Sequence, residues 1–183
     1  SSFLIDPYDM AGNGIDVTII SSQKGLCIAP GLSPIVVSER LYEDRVKNNN
    51  IKNLYFDFNQ YVKNFTRGQT PFTPAVGVCL EMNKALHLIE EEGYENYLAR
   101  IDNVAKDFRN RMKELPVFMP TFTLSNAVTP IRFEEPIAKD VFTVLKDKYD
   151  IYVNPTGGKN ENYVLRVAHI GDTTIEDNQF LVD

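Results

Sequence analysis

The apolar run Ile15-Asp16-Val17-Thr18-Ile19-Ile20 predicts a buried strand over 15–20, and Ser33-Pro34-Ile35-Val36-Val37 predicts a second short strand. Ser38 followed by Glu39 is a helix-start signal, so 39–47 is expected to be helical until Asn48-Asn49-Asn50 breaks it. Residues 51–65 carry Tyr55, Phe56, Phe58, Tyr61 and Phe65 without a clean period, and are expected to be irregular and partly buried. Thr73-Pro74 opens a helix with Ala75, Cys79, Met82, Leu86 and Ile89 on one apolar face, ended by Gly93. A second helix places Tyr97, Ile101, Ala105, Phe108, Met112 and Leu115 on one face, until Pro116. Both stripes read as core.

After Pro116 the pattern changes to short strands and turns. Val117–Phe122 and Val128–Phe133 are predicted strands separated by Leu124-Ser125-Asn126. Pro136 starts a helix carrying Ile137, Val141, Val144 and Leu145. Ile151-Tyr152-Val153 is a predicted strand, Asn154 to Gly158 a turn, and Tyr163–Ile170 a further strand. Gly171-Asp172-Thr173-Thr174 caps a last helix. Residues 1–70 therefore read as a piece of an α/β sheet domain, and 71–183 as a connecting helix and a smaller α+β domain.

Composition narrows the function classes. The 183 residues are 43% hydrophobic and 24% charged, which is globular. A net charge of −6 without a basic stripe argues against nucleic-acid binding. No apolar run approaches the ~20 residues of a membrane helix, and the start lacks the basic and apolar regions of a signal peptide. Cys27 and Cys79 are too far apart to suggest a disulfide framework, and are expected to be reduced, buried thiols in a cytoplasmic protein. His87 and His169 make no metal-binding spacing.

Three places could carry chemistry. Lys24, in Ser21-Ser22-Gln23-Lys24-Gly25-Leu26, follows a predicted buried strand, where open α/β sheets place ligands. A desolvated amine there could form a Schiff base with an aldehyde cofactor; equally, it could be a lysine snorkelling from a loop. Arg166 alternates with Val164, Ala168 and Ile170. On an apolar strand face it requires a carboxylate, supplied by the protein or by a ligand. Thr66 to Thr73, with Arg67, offer hydroxyls and a helix N-terminus to a phosphate, or simply a helix cap.

Taken in order, these segments resemble the class V aminotransferases, which have the fold-type I architecture and depend on pyridoxal 5'-phosphate. The stretch from Asp16-Val17 through Ser22-Gln23-Lys24-Gly25-Leu26, then Ala29-Pro30-Gly31-Leu32 and Ser38-Glu39-Arg40, is similar to that family's lysine-site signature. Thr70-Pro71 and Leu165-Arg166-Val167-Ala168-His169-Ile170-Gly171 resemble two further family segments. The resemblance implies the α/β C-terminal part of a fold-type I enzyme, namely the end of the large sheet domain plus the small α+β domain. It further implies transamination between a small amino acid or aminophosphonate and a 2-oxo acid, of the alanine–glyoxylate, serine–pyruvate or 2-aminoethylphosphonate type.

Site roles follow from the same resemblance. Lys24 holds the cofactor as a Schiff base and shuttles the substrate α-proton. Gln23 lies beside the cofactor and its phosphate, while Thr70, with Arg67, reaches the cofactor phosphate of the other subunit in a homodimer. Arg166 orients the substrate carboxylate. The family's aspartate for the pyridine nitrogen precedes a segment like Ser1-Ser2-Phe3, so it and the glycine-rich phosphate loop are expected upstream, and the polypeptide is expected to be an inactive fragment. Two alternatives are a cysteine desulfurase-like enzyme, which neither Cys27 nor Cys79 suits, and a non-catalytic dimer-forming or partner-binding remnant.

Overall fold

The computed structural model describes residues 3–48 and 51–183; Ser1 and Ser2 of the Ser-Ser-Phe segment, and Asn49 and Asn50 of the expected helix break, lie outside the described residues. The contacts divide the chain into two compact units. One holds Tyr8–Leu86, the other His87–Asp183 together with the segment ending at Pro7.

In the first unit, β1 (Val17–Ile19) and β2 (Ile35–Val37) pair antiparallel, Val17 opposite Val37. β1 is not a buried strand, since Val17 and Ile19 are exposed, Ile19 by 63%. The described residues supply only one neighbour to this strand, so its apolar run lacks a covering layer. Ser38 caps the following helix as expected, its hydroxyl accepting from the Leu41 amide at 3.2 Å. That helix, α1 (Glu39–Leu41), continues as a wider π-type turn over Tyr42–Val46.

Residues 51–65 depart from expectation. Asp57 accepts from the Asn59 amide at 3.0 Å and starts α2 (Phe58–Phe65). Phe58, Tyr61, Val62 and Phe65 fall at helical spacing, a stripe that the aromatic residues just before it obscure. Tyr55, Phe56 and Phe65 are exposed rather than partly buried; Tyr55 stacks on Phe72 with ring centroids 5.1 Å apart. The next helix, α3 (Val76–Glu92), begins two residues past Thr73-Pro74. Its half-buried positions include Val78, Cys79, Met82, Ala85 and Ile89, whereas Ala75 and Leu86 are exposed.

The second unit is built on α4 (Tyr94–Met112), which Gly93 starts at φ 86°, a left-handed conformation that suits glycine. Tyr97, Ile101, Ala105, Phe108 and Met112 are buried as expected; Leu115 lies beyond the helix and is exposed. Strands β3 (Val117–Phe118), β4 (Val128–Phe133), β5 (Asn154–Pro155) and β6 (Val164–Ala168) form an antiparallel sheet in the order β3-β4-β6-β5. Between them lies α5 (Ala138–Tyr149), and α6 (Ile175–Val182) closes the unit with a capping box between Thr174 and Asp177. Ile131, Leu165 and Val167 on one sheet face pack with Phe108, Met112 and Ala138 in the core. Each such large buried side chain contributes about 1.5–3 kcal/mol of transfer free energy.

Two strand predictions shift. Val117–Phe122 shortens to β3. The expected strand at Ile151–Val153 forms instead at Asn154–Pro155, inside the expected turn. Asp150 ends α5 at φ 56°, and the Ile151 amide returns to the Leu145 carbonyl at 3.0 Å. Residues 151–153 thus carry the chain back to the sheet, burying Val153 on the way. In α5 the packed positions are Ala138, Val141, Phe142 and Leu145, while Ile137 and Val144 are exposed.

Candidate active site

The lysine sits in a loop stapled at its base. Ser22 is fully buried; its amide donates to the Leu32 carbonyl at 3.1 Å, and its hydroxyl accepts from the Leu32 amide at 3.3 Å. Ser33 Oγ donates to the Ile20 carbonyl at 3.0 Å. Within the loop the Lys24 amide bonds the Ser21 carbonyl at 3.2 Å, and the Cys27 amide bonds the Lys24 carbonyl at 2.8 Å. Gly25 and Leu26 are buried, and the Ala29 amide donates to Glu81 Oε2 of α3 at 2.9 Å. Backbone bonds thus hold Lys24 at the head of a fixed turn.

Its side chain is exposed, as is that of Gln23. The buried strand end expected to desolvate the amine is therefore not supplied by the described residues. Among those residues Lys24 Nζ has no hydrogen-bond or ion-pair partner, which leaves a primary amine available to a carbonyl group. That chemistry fits an aldehyde cofactor.

Asp16 and Arg40, at the two ends of the lysine signature, meet. Asp16 accepts from Arg40 Nε at 3.1 Å and Nη2 at 2.6 Å, and from Ser38 Oγ at 2.6 Å. The bonds from Arg40 and then Ser38 hold the Asp16 carboxyl below its ordinary value. The aspartate thereby fixes the helix cap against the strand that leads to Lys24. Spacing alone did not reveal that link.

Residues 66–68 sit at the end of α2 rather than at a helix N-terminus. Thr66 is the C-cap of α2, and the Arg67 amide bonds the Asn64 carbonyl at 2.9 Å. Gly68 turns the chain at φ 65°. The helix N-terminus of this stretch is that of α3, which begins at Val76. Arg67 Nη2 donates to Gln69 Oε1, and Thr70 Oγ1 donates to the Phe72 carbonyl at 2.6 Å. Thr70 is exposed and lies before the first turn of α3.

Arg166, in the second unit, also differs from expectation. The buried face of β6 is Leu165 and Val167, continued by His169, so Arg166 lies on the open face and is exposed. Its side-chain partners among the described residues are not carboxylates. Nη2 donates to Asn154 Oδ1 at 2.8 Å and to the Pro155 carbonyl at 3.1 Å. The neutral partners leave its charge uncancelled.

Behind the sheet a polar network was also hidden from sequence reading. Buried His169 Nε2 meets Thr129 Oγ1 at 2.8 Å, while Nδ1 has no partner among the described residues. Arg109 donates to Thr129 Oγ1 at 2.9 Å, to the Ser125 carbonyl at 2.6 Å and to Asn126 Oδ1 at 3.3 Å. Asp6 accepts from the Asn126 amide at 2.8 Å and from Ser125 Oγ. Burial, reinforced by Arg109, lowers the His169 pKa to about 4. Neither thiol is buried as expected. Cys27 is exposed, with its Sγ 3.3 Å from the Lys24 carbonyl, and Cys79 is intermediate. Partial burial pushes the Cys27 thiol up, opposite to what a desulfurase nucleophile requires. No helix among the described residues is long and apolar enough to cross a membrane.

No protein-family model matches the chain. It is 34% identical over 163 residues to the uncharacterized aminotransferase MJ0959 of Methanocaldococcus jannaschii, covering 86% of this chain and 42% of that protein. Homologues of the chain thus include an aminotransferase. Another homologue is the soluble hydrogenase 42 kDa subunit of Anabaena cylindrica, 30% identical over 168 residues, covering 90% of this chain and 43% of that protein. The fold matches alanine–glyoxylate aminotransferase from Nostoc sp. with a TM-score of 0.87 at 23% identity, over 96% of this chain and 48% of that one. The chain thus has an aminotransferase fold and spans about two fifths of the length of the curated relatives it matches.

Proposed function

We propose that the chain is the C-terminal part of a pyridoxal phosphate-dependent aminotransferase, exchanging an amino group between a small amino acid or aminophosphonate and a 2-oxo acid. The observation that carries this reading is the Lys24 amine, unpartnered among the described residues and held by backbone bonds at the head of its loop in a homologue of aminotransferases. Lys24 would hold the cofactor as a Schiff base and afterwards carry the substrate α-proton on Nζ. Gln23 would lie beside the cofactor, and Arg166 would bind the carboxylate. When bound, pyridoxal phosphate supplies the electron sink for breaking a bond at the α-carbon.

Residues 1–70 would close the large cofactor domain, and 71–183 would form the connecting helix and small domain. Thr70, with Arg67, would act across a cytoplasmic homodimer. The exposed positions of Gln23, Lys24, Thr70 and Arg166 suit groups completed by further polypeptide. The test is to express the chain extended upstream to the length of its relatives, load it with pyridoxal phosphate and add single amino acids without an acceptor. Conversion to the amine form of the cofactor, with stoichiometric 2-oxo acid, is expected for a small donor. Absence of conversion with every small amino acid and aminophosphonate would overturn the proposal.

A further inference from the structure

We propose that Asn154 is a positioning residue for Arg166, and that its neutrality keeps the guanidinium available to a substrate carboxylate. The proposal rests on Arg166 as the carboxylate-binding group. The two residues face each other directly across the β5–β6 pair, so their side chains stand on the same open face of the sheet. Asn154 Oδ1 accepts from Arg166 Nη2 at 2.8 Å, and the carbonyl of the next residue, Pro155, accepts from the same nitrogen at 3.1 Å. Both bonds from Arg166 among the described residues leave from Nη2, so Nε and Nη1 remain as donors for a ligand.

An exposed arginine samples many rotamers, and ordering it on binding costs conformational entropy. A partner that orders it beforehand removes part of that cost. Aspartate in the same place would order the guanidinium but also cancel its charge and compete with the substrate. The amide oxygen orders the guanidinium without that competition. Pro155 contributes from an edge strand, where its missing N–H breaks no inner ladder.

The experiment uses the upstream-extended polypeptide loaded with pyridoxal phosphate, and compares Asn154→Ala, Asn154→Asp and Arg166→Ala. With the best amino acid donor, Asn154→Ala should raise KM about tenfold, the scale of a lost bond to a charged group, with kcat changed less than about threefold. Asn154→Asp should raise KM further, because it adds a competing charge. The Kd of propionate, a carboxylate that does not react, should rise in the same order by calorimetry. Single-turnover rates with a small primary amine lacking a carboxylate should stay unchanged in both variants. If Arg166→Ala weakens the amino acid and propionate while both Asn154 variants behave as the parent, the positioning role is wrong and the Arg166 assignment stands. If Arg166→Ala also leaves both unchanged, the Arg166 assignment itself fails and takes the proposal with it. Equal losses for the amine and the amino acid in the Asn154 variants would mark a structural role only, and would likewise overturn it.

Discussion

Arg40 closes on Asp16 through both carboxylate oxygens, at 3.1 and 2.6 Å, and so joins the segment entering β1 to the helix leaving β2. Because Asp16 also receives the Ser38 hydroxyl, the two partners are not equivalent. Asp16→Ala removes the anchor of a helix cap as well as an ion pair, whereas Arg40→Ala removes only the exposed pair. Thermal unfolding should therefore show a larger drop in Tm for Asp16→Ala. Since the folded-state pKa of Asp16 is lowered, its contribution is present above the ordinary carboxylate value and is lost as the pH falls from there through the lowered folded value. The difference between wild type and Asp16→Ala should narrow in acid.

His169 gives a second pH effect in the same direction. Its folded pKa is about 4, against an ordinary value of 6.5. The unfolded chain therefore binds more protons between those values, and folded stability rises with pH across the window. The contribution is full above 6.5 and is lost progressively as the pH falls toward about 4. At most it amounts to about 3 kcal/mol. Urea unfolding at a series of pH values should show this slope in wild type and not in His169→Phe. Arg109→Met, by removing the neighbouring positive charge, should move the imidazole titration upward in an NMR experiment.

The small-domain core depends on α4. Phe108 is fully buried, so Phe108→Ala should cost about 3–5 kcal/mol in denaturant unfolding. Asn178 of α6 is also buried and donates to the Val104 carbonyl at 2.9 Å and to Asp107 Oδ2 at 3.0 Å. Asn178→Ala should cost about 1–3 kcal/mol by the same measurement, because it leaves a buried polar environment partly unpaired.

Elements whose local signals agreed were readable in advance. Ser38, Gly93 and Thr174 mark helix boundaries by capping and backbone chemistry that acts over a few residues, and the α4 stripe is long enough to show its period. The stretch around α2 was not readable, because Tyr55 and Phe56 precede the helical stripe and blur its phase. β5 was hidden because Asn154-Pro155 has turn composition and is made a strand only by pairing with β6. At the site, the lysine signature was legible as a run of residues. Asp16 reaching Arg40, and Asn154 reaching Arg166, are contacts over 24 and 12 positions that no local pattern encodes. The alternation around Arg166 identified its face correctly but not that this face is the open one.

The most direct measurement is borohydride reduction of the upstream-extended, pyridoxal phosphate-loaded protein, followed by peptide mapping. A single phosphopyridoxyl group on Lys24 is expected, with no label in Lys24→Ala. Label on another lysine, or an undiminished reducible imine in Lys24→Ala, would contradict the Schiff-base assignment.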